Sequence, residues 1–461
     1  MRRIWTAIFG VGLVGFVAIQ FIRPEISHAP VTADLVAPPE VKQILKNSCY
    51  DCHSNETKLA WFDEIVPGYW LVARDVKDAR SHLNFSEFGK LPAGQQKGAL
   101  YEAVNQVQLG AMPLPAYKRL HRDAVVTAAE LMVLKNYLNP GMALSAAAAG
   151  DLALDDAQYQ KWIRDGSSAR AVATAPNGIE FPAGYKNWKA ISSTDRFDNQ
   201  SLRVILGNDI AIQAIAENRI KPWPDGSTFA KVAWLAREDG QGHVASGTFF
   251  QVEFMIRDGK KYAGTEGWGW ARWRGAGLTP YGKDAGFSAE CTGCHAPLRD
   301  NDYVYTLPLP AASPGSGSGS SGRVPSSINE GAALTGSLPW NPLQWNVITS
   351  FTDKPASTMS TLYGNDAAVR YARSNSQPDY PAGAVLSLVT WTQQEDPHWF
   401  GARIPRQVKS VEFVTAGANN QPWYSYEDYE GSPLRKAFSS EGLSPGSRTA
   451  YLLSQRAAVM P

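Results

Sequence analysis

Cysteine is scarce in this chain. There are four among 461 residues, and they fall in two places, Cys49-Tyr-Asp-Cys-His53 and Cys291-Thr-Gly-Cys-His295. No cysteine is left over to complete a zinc site, and a bare redox dithiol needs no histidine directly after each pair. Excess charge is also lacking: the formal net charge is +1, which gives no electrostatic reason to expect nucleic acid or a strongly acidic partner. Long apolar runs are missing as well, apart from one uncharged stretch from Ile4 to Ile22. About 20 apolar residues span a bilayer, so this stretch is expected to be a transmembrane helix. Arg2 and Arg3 would then stay on the cytoplasmic side, and the body would lie on the periplasmic side of a bacterial inner membrane. The competing reading is a cleaved signal peptide, although Ser27-His-Ala29 followed by Pro30 is a poor cleavage site.

What the chain does have follows from the two Cys-x-x-Cys-His runs. This is the attachment pattern for a c-type haem: the two thiols add across the vinyl groups and the adjacent imidazole binds the iron. Two covalently attached c-type haems are therefore expected, on Cys49, Cys52 and His53 and on Cys291, Cys294 and His295. The 15 tryptophans suit pockets that pack large flat groups.

Residues 1–34 read as anchor and tether, and residues 35–140 as an all-α, cytochrome c-like domain. Helices are expected over Glu40 to Ser48, Pro92 to Leu109 and Ala124 to Leu138, the last stopped by Asn139-Pro140. A sixth iron ligand is needed for electron transfer, and Met with His raises the potential into that range. Met112, on a proline-flanked loop, is the candidate; the plain alternative is a core methionine filling a gap. His82 and His121 are rivals with competing surface or loop-bracing roles. Asn47-Ser-Cys-Tyr-Asp-Cys-His-Ser-Asn55, Ser81-His-Leu-Asn-Phe-Ser86 and Met112-Pro-Leu-Pro-Ala-Tyr117 followed by His121 together resemble a small haem-binding domain family of bacterial exported proteins. The resemblance implies an electron-transfer haem.

Residues 141–175 read as a connector, and residues 176–310 as strands and turns. Trp188 to Ser192, Leu202 to Leu206, Thr228 to Trp234 and Phe249 to Arg257 carry strand patterns, with turn signals at Gly207-Asn-Asp and Trp223-Pro-Asp-Gly226. In the third strand Phe229, Lys231 and Ala233 share one face and Ala230, Val232 and Trp234 the other. Both faces are otherwise apolar, so Lys231 is either paired, neutralised or chemically used, or it snorkels to water. Phe181-Pro-Ala-Gly-Tyr-Lys-Asn-Trp188, Arg203-Val-Ile-Leu-Gly-Asn208, the Trp-Pro-Asp-Gly turn, Gly267-Trp-Gly-Trp270 and Glu290 before the second haem motif resemble, in order, the cytochrome P-460 family. That resemblance implies a mainly antiparallel β domain and a five-coordinate haem c with a lysine cross-linked to the macrocycle. Members oxidise hydroxylamine and react with nitric oxide, while the related cytochromes c′-beta lack the cross-link and bind diatomic gases. Lys231 is the candidate cross-linking lysine and Arg203 a pocket cation. Asp258 is a candidate proton acceptor, with a plain turn role beside Gly259 as its rival.

Residues 311–330 are a Gly/Ser-rich linker, and residues 331–461 repeat the preceding domain. Trp345-Asn-Val-Ile348 matches Trp188-Lys-Ala-Ile191, Leu362-Tyr-Gly-Asn-Asp366 matches Ile205-Leu-Gly-Asn-Asp209, and Tyr380-Pro-Ala-Gly383 matches Trp223-Pro-Asp-Gly226. The spacing stays constant through Thr390-Trp391 and Ala233-Trp234, and Val411-Glu-Phe413 pairs with Val252-Glu-Phe254. The copy has no Cys-x-x-Cys-His; Leu388 stands for Lys231 and Ser360 for Arg203. Glu253 persists as Glu412, which assigns it to the scaffold. A second, separate haem-less β domain is expected, packed on the first as an intrachain pseudo-dimer, since the family is typically homodimeric. The whole reads as an anchored dihaem oxidoreductase. A small nitrogen compound such as hydroxylamine would be oxidised at the His295 haem, with electrons leaving through the His53 haem to a redox partner. Capture of a diatomic gas and pure electron transfer are the alternatives.

Overall fold

The structure is a computed structural model that describes residues 2–138, 152–165, 171–310, 327–374, 378–417, 423–437 and 445–461. The expected Asn139-Pro140 stop, residues 141–151 of the connector and residues 311–326 of the Gly/Ser-rich linker lie outside the described residues. The chain divides into two compact units, Met1–Ala143 and Leu144–Pro461.

The first unit is built from helices α1 (Arg2–Ile19), α2 (Pro39–Ser48), α3 (Tyr50–His53), α4 (Gly68–His82), α5 (Ala93–Gln108), α6 (Pro115–Leu120) and α7 (Ala128–Leu138). The expected membrane span is not there: among the described residues no helix is long and apolar enough to cross a membrane. The reason is local. Helix α1 has 18 residues, two of them the N-terminal arginines, and at 1.5 Å per residue it reaches about 27 Å against a hydrocarbon core of about 30 Å. Beyond it the chain is held by the unit itself: the Gln20 amide donates to Val66 O (3.0 Å) and accepts from Val66 N (2.9 Å). Arg23 pairs with Glu64, and Trp70 Nε1 donates to Ile22 O. The expected N-terminal anchor, and the localisation drawn from it, are therefore not supported.

The unit is helical, but it does not have the expected all-α cytochrome c-like fold. Its haem-motif helix α3 is a single turn of four residues, and the segment from Ser54 to Pro67 between it and α4 is irregular. Helix α2 begins at Pro39, whose fixed φ suits the first turn, and buries Val41, Ile44 and Leu45 on one face. Helix α7 starts later than the sequence suggests because Thr127 and Glu130 form a reciprocal cap. Tyr50 stacks on Phe85 at 5.1 Å, placing the haem motif against the buried pair Phe85 and Phe88.

The second unit opens with α8 (Leu152–Asp165) and then runs twice through one order of elements. The first pass is β1 (Lys189–Arg196), β2 (Ser201–Gly207), α9 (Asp209–Ala216), β3 (Thr228–Glu238), β4 (His243–Arg257), β5 (Trp268–Arg274), β6 (Thr279–Pro280) and α10 (Phe287–His295). The second is β7 (Asn346–Asp353), β8 (Thr358–Gly364), α11 (Asp366–Ala372), β9 (Val385–Asp396), β10 (Trp399–Ala416), β11 (Tyr424–Glu430), β12 (Arg435–Lys436) and α12 (Pro445–Leu453). The repeated Gly-Asn-Asp motif has one job in both. Asn208 accepts from Ala211 N and Thr228 N and donates to Gly226 O; Asn365 does the same with Ala368 N, Val385 N and Gly383 O. Each asparagine caps a helix and ties it to the following strand.

The repeats do not form two separate β domains. Strands β1-β2-β3-β4-β7-β8-β9-β10 follow one another, and β10 pairs back on β1, closing a single eight-stranded barrel. The two junctions are equivalent: β4 meets β7 at His243↔Asp353 and β10 meets β1 at Ala402↔Arg196, fourth strand against first strand in each case. A repeat alone would leave the outer edge of β1 and the His243–Ala245 end of β4 unpaired, and closure covers both. One core runs through the interior, with Val232, Phe254 and Trp273 from one repeat and Val389, Phe413 and Tyr429 from the other.

Candidate functional site

Strand alternation sorts the first repeat into two faces. Val204, Val232 and Phe254 belong to the shared core. Their neighbours Arg203, Ile205, Lys231, Gln251 and Glu253 face a cavity of about 340 Å³ together with Phe229, Trp270 and Arg272. Cys291, Cys294 and His295 of α10 supply another wall of the same cavity. Lys231 is therefore on a strand buried on both sides, and its side chain, 31% exposed, opens onto the cavity.

Lys231, Glu253 and Arg272 are direct cross-strand neighbours on β3, β4 and β5. The Lys231 ammonium lies 2.6 Å from Glu253 Oε2 and the Arg272 guanidinium 3.4 Å from the same oxygen. Gln251 donates to the other oxygen. Burial pushes Lys231 down to about 8, with Arg203 and Arg272 adding to the effect and Glu253 opposing it. Burial alone would raise Glu253, but Lys231, Arg272 and Arg203 hold it well below the usual carboxylate range. Arg203, lowered by burial and by Arg196, donates from Nε to Ser201 Oγ at 3.2 Å. Its guanidinium remains a cation.

His295 is prepared as a ligand. Its Nδ1 donates to Tyr303 O at 2.7 Å, leaving Nε2 without the proton. Trp270 and Tyr305 pack on the ring at 4.5 and 4.8 Å. Burial pushes the imidazole down to about 4, so it is neutral, the form that binds iron. The cysteines form no disulfide. Gln251 Oε1, Trp270 Nε1 and Arg272 Nε are buried without a protein partner. Flat apolar walls, two thiols, a neutral imidazole and cations suited to carboxylates together fit a haem.

In the first unit His53 is arranged like His295: Nδ1 donates to Leu83 O at 3.0 Å, and burial lowers the imidazole. Cys49 and Cys52 are half-buried beside it, again without a disulfide. Met112 is half-buried in the turn between α5 and α6, its backbone N–H held by Gln106 O at 3.0 Å. The rival histidines have structural partners. His121 is buried, stacked on Tyr117 at 3.8 Å, with Nε2 3.1 Å from Asp63. His82 is exposed, and its Nδ1 donates to Asp78 O.

Asp258 is not part of the cavity. Its Oδ1 accepts from Lys260 N and Lys261 N, closing the turn after β4. The structure brings in residues that sequence reading passed over: Arg272, and Asp396, Trp399 and Ile404 from the second repeat. Glu253 was set aside because Glu412 repeats it, but the two glutamates have different surroundings. Glu412 is held by Arg448 of α12 (2.8 and 2.5 Å) and by the Tyr426 hydroxyl (2.8 Å), beside Leu388 where Lys231 would be. Register was the available signal, since it placed Lys231 opposite Glu253.

Comparison with known families agrees with these sites. Residues 14–140 match the family described as Haem-binding domain, and residues 182–306 and 343–437 match the family described as Cytochrome P460. No curated protein matches the chain. The neutral histidines behind paired thiols, the lysine-bearing cavity and the doubled β architecture therefore belong to a haem protein in which a haem-binding domain is joined to a duplicated region of the cytochrome P460 family.

Proposed function

We propose that this chain carries two covalent c-type haems and oxidises a small nitrogen compound, most simply hydroxylamine, at the His295 site, with electrons leaving through the His53 site to a redox partner. The observation that carries the reading is the Lys231–Glu253–Arg272 ladder on the wall of the cavity that holds Cys291, Cys294 and His295. A plain electron-transfer haem has no use for three charged side chains facing its pocket, each costly to bury.

Haem iron would supply the site that binds the nitrogen and takes up its electrons. Cys291 and Cys294 would fix the macrocycle, and His295, oriented by Tyr303 O and clamped by Trp270 and Tyr305, would hold the iron from one side. Lys231 would be the amine that bonds the macrocycle, with Glu253, its partner at 2.6 Å, keeping it aimed. Arg203 and Arg272 add positive charge that favours the anionic forms of a bound ligand. Cys49, Cys52 and His53 would hold the second haem, with Met112 as its sixth ligand.

The absorption spectrum of the reduced protein tests this reading. A red-shifted Soret band beside an ordinary haem c spectrum is expected, together with hydroxylamine-dependent reduction of an added acceptor. Two ordinary haem c spectra without turnover would transfer the site to gas binding.

A further inference from the structure

Oxidation of an N–H or O–H compound needs a group that takes its protons, and three carboxylates line the cavity: Glu253, Glu290 and Asp396. Glu253 is committed as an anion to Lys231 and Arg272. Glu290 sits at the outer end and accepts from the Tyr281 hydroxyl at 3.0 Å, in an exposed contact. Asp396 remains, and it comes from the repeat that has no haem motif.

Asp396 ends β9 at the tight turn into β10, and the turn is fixed from the other repeat. His398 Nδ1 donates to Tyr305 O at 2.6 Å, and the Trp399 ring packs on Tyr305 at 5.5 Å. Trp399 Nε1 donates to Asp198 at 3.1 Å, and the Arg196 guanidinium lies 4.1 Å above the Trp399 ring while pairing with Asp198. Asp396 Oδ1 accepts from His398 N at 2.8 Å, the Trp399 N–H also binds the carboxylate, and the residue lines the cavity wall. The corresponding hairpin of the first repeat has Asp239 and His243 bonded to each other, both exposed, and reaches towards Asp353; neither lines the cavity beside His295. The two hairpins are alike in fold and unlike in what they face.

We propose that the haem-less repeat completes the catalytic cavity, with its Asp396 carboxylate accepting the N–H or O–H hydrogen of a hydroxylamine-class ligand. This rests on the hydroxylamine reading above and deepens it. The repeat is kept as a wall that the haem-bearing repeat cannot supply, because its own hairpin points to the other side of the barrel.

The test uses the full chain with its haems and two probes, hydroxylamine, which donates hydrogen bonds, and carbon monoxide, which does not. Asp396→Asn keeps the turn, since an amide oxygen still accepts from His398 N. It should weaken hydroxylamine binding, read from the Soret shift, by about tenfold or more, while carbon monoxide affinity stays within about twofold. Asp239→Asn, in the equivalent turn, should change neither. Hydroxylamine affinity within twofold of the parent in Asp396→Asn would overturn the proposal, as would equal losses for both probes or an equal effect of Asp239→Asn. Parent protein that shows no hydroxylamine shift overturns it too. If the parent binds hydroxylamine without turning it over, the oxidase reading fails while the Asp396 comparison still decides recognition.

Discussion

Replacing Lys231 by leucine puts into the haem-bearing repeat the residue that the other repeat carries at the same place, Leu388. The consequences differ because the glutamates differ. At 2.6 Å and an effective dielectric of about 20, the Lys231–Glu253 attraction is about 6 kcal/mol before desolvation. Arg272 at 3.4 Å retains about 5 kcal/mol of similar attraction, so Glu253 is not left bare. Removing one partner of a buried pair ordinarily costs about 3–5 kcal/mol. With Arg272 in place and the burial cost of the ammonium relieved, the net loss should be about 1–3 kcal/mol. In the protein whose Lys231 has not yet bonded the macrocycle, Lys231→Leu combined with Glu253→Gln should cost less than the sum of the single changes, with a coupling of about 1–3 kcal/mol in denaturant unfolding. The same Lys231→Leu protein should keep its haem but lose the red-shifted Soret band and hydroxylamine oxidation. Unchanged oxidation in that variant would remove Lys231 from the mechanism, and additive stabilities would remove the buried pair from the energetics.

The amine chemistry adds a pH signature. Burial brings Lys231 to about 8 from a free value of 10.5, so the neutral, nucleophilic fraction rises as pH climbs through about 8. Formation of the lysine–haem bond after haem attachment exchanges a macrocycle C–H and an amine N–H for a C–N bond, which takes a two-electron oxidant; with a peroxide supplied in excess its rate should speed up from pH 7 to 9 and level off above, and a rate that falls over this range would contradict the assignment. While Lys231 is still a free amine, the unfolded chain holds its lysine proton up to the higher value, so this group alone makes stability rise with pH between about 8 and 10.5. Cys49→Ala with Cys52→Ala should leave a protein that stains for covalent haem at half the parent's haem content, and so should the Cys291/Cys294 pair; unchanged staining in either would disprove attachment there. Arg448→Leu should lower the free energy of unfolding by about 2–4 kcal/mol, since it strips the buried Glu412 carboxylate of its bidentate partner. It should leave both haem spectra as they were, and a spectral change would mean that the second repeat has a haem-linked role at that point.

Both haem motifs, the duplication and the position of Lys231 could be read from the chain, because each is written in local spacing. The two faces of β3 follow from alternation, and the repeated Gly-Asn-Asp motif marked a helix cap that the structure shows twice. Barrel closure could not be read that way. It depends on which edges meet, and the pairings Asp195↔Arg403 and Val244↔Thr352 join residues that no local pattern connects. Arg272 was hidden in an aromatic-rich strand whose register on β4 decides that it faces Glu253. Asp258, a carboxylate beside glycine, has the hydrogen bonds of a turn, the rival role its sequence context offers. The N-terminal stretch had the apolar composition of a span, but Gln20 and Arg23 bind its end to the unit and the helix stops at Ile19.

The duplication also explains how one repeat could lose its cofactor chemistry without losing the fold. The barrel needs eight strands to have no open edge, so both repeats are held by the same backbone pairings whatever faces outward. The outward faces are then free to diverge, but the shared glutamate limits how. A carboxylate at that register must have a cation. In one repeat the cations come from the neighbouring strands, as Lys231 and Arg272, which leaves the space in front open towards His295. In the other, β9 offers Leu388 and β11 offers Asp428, so the cation has to come from outside the sheet, and Arg448 brings it on the helix that follows the last strand. In the element order that helix, α12, stands where α10 carries the haem cysteines. The position that carries the Cys-x-x-Cys-His run in one repeat thus neutralises the scaffold in the other, and Glu253 and Glu412 are the same residue answering two different neighbours.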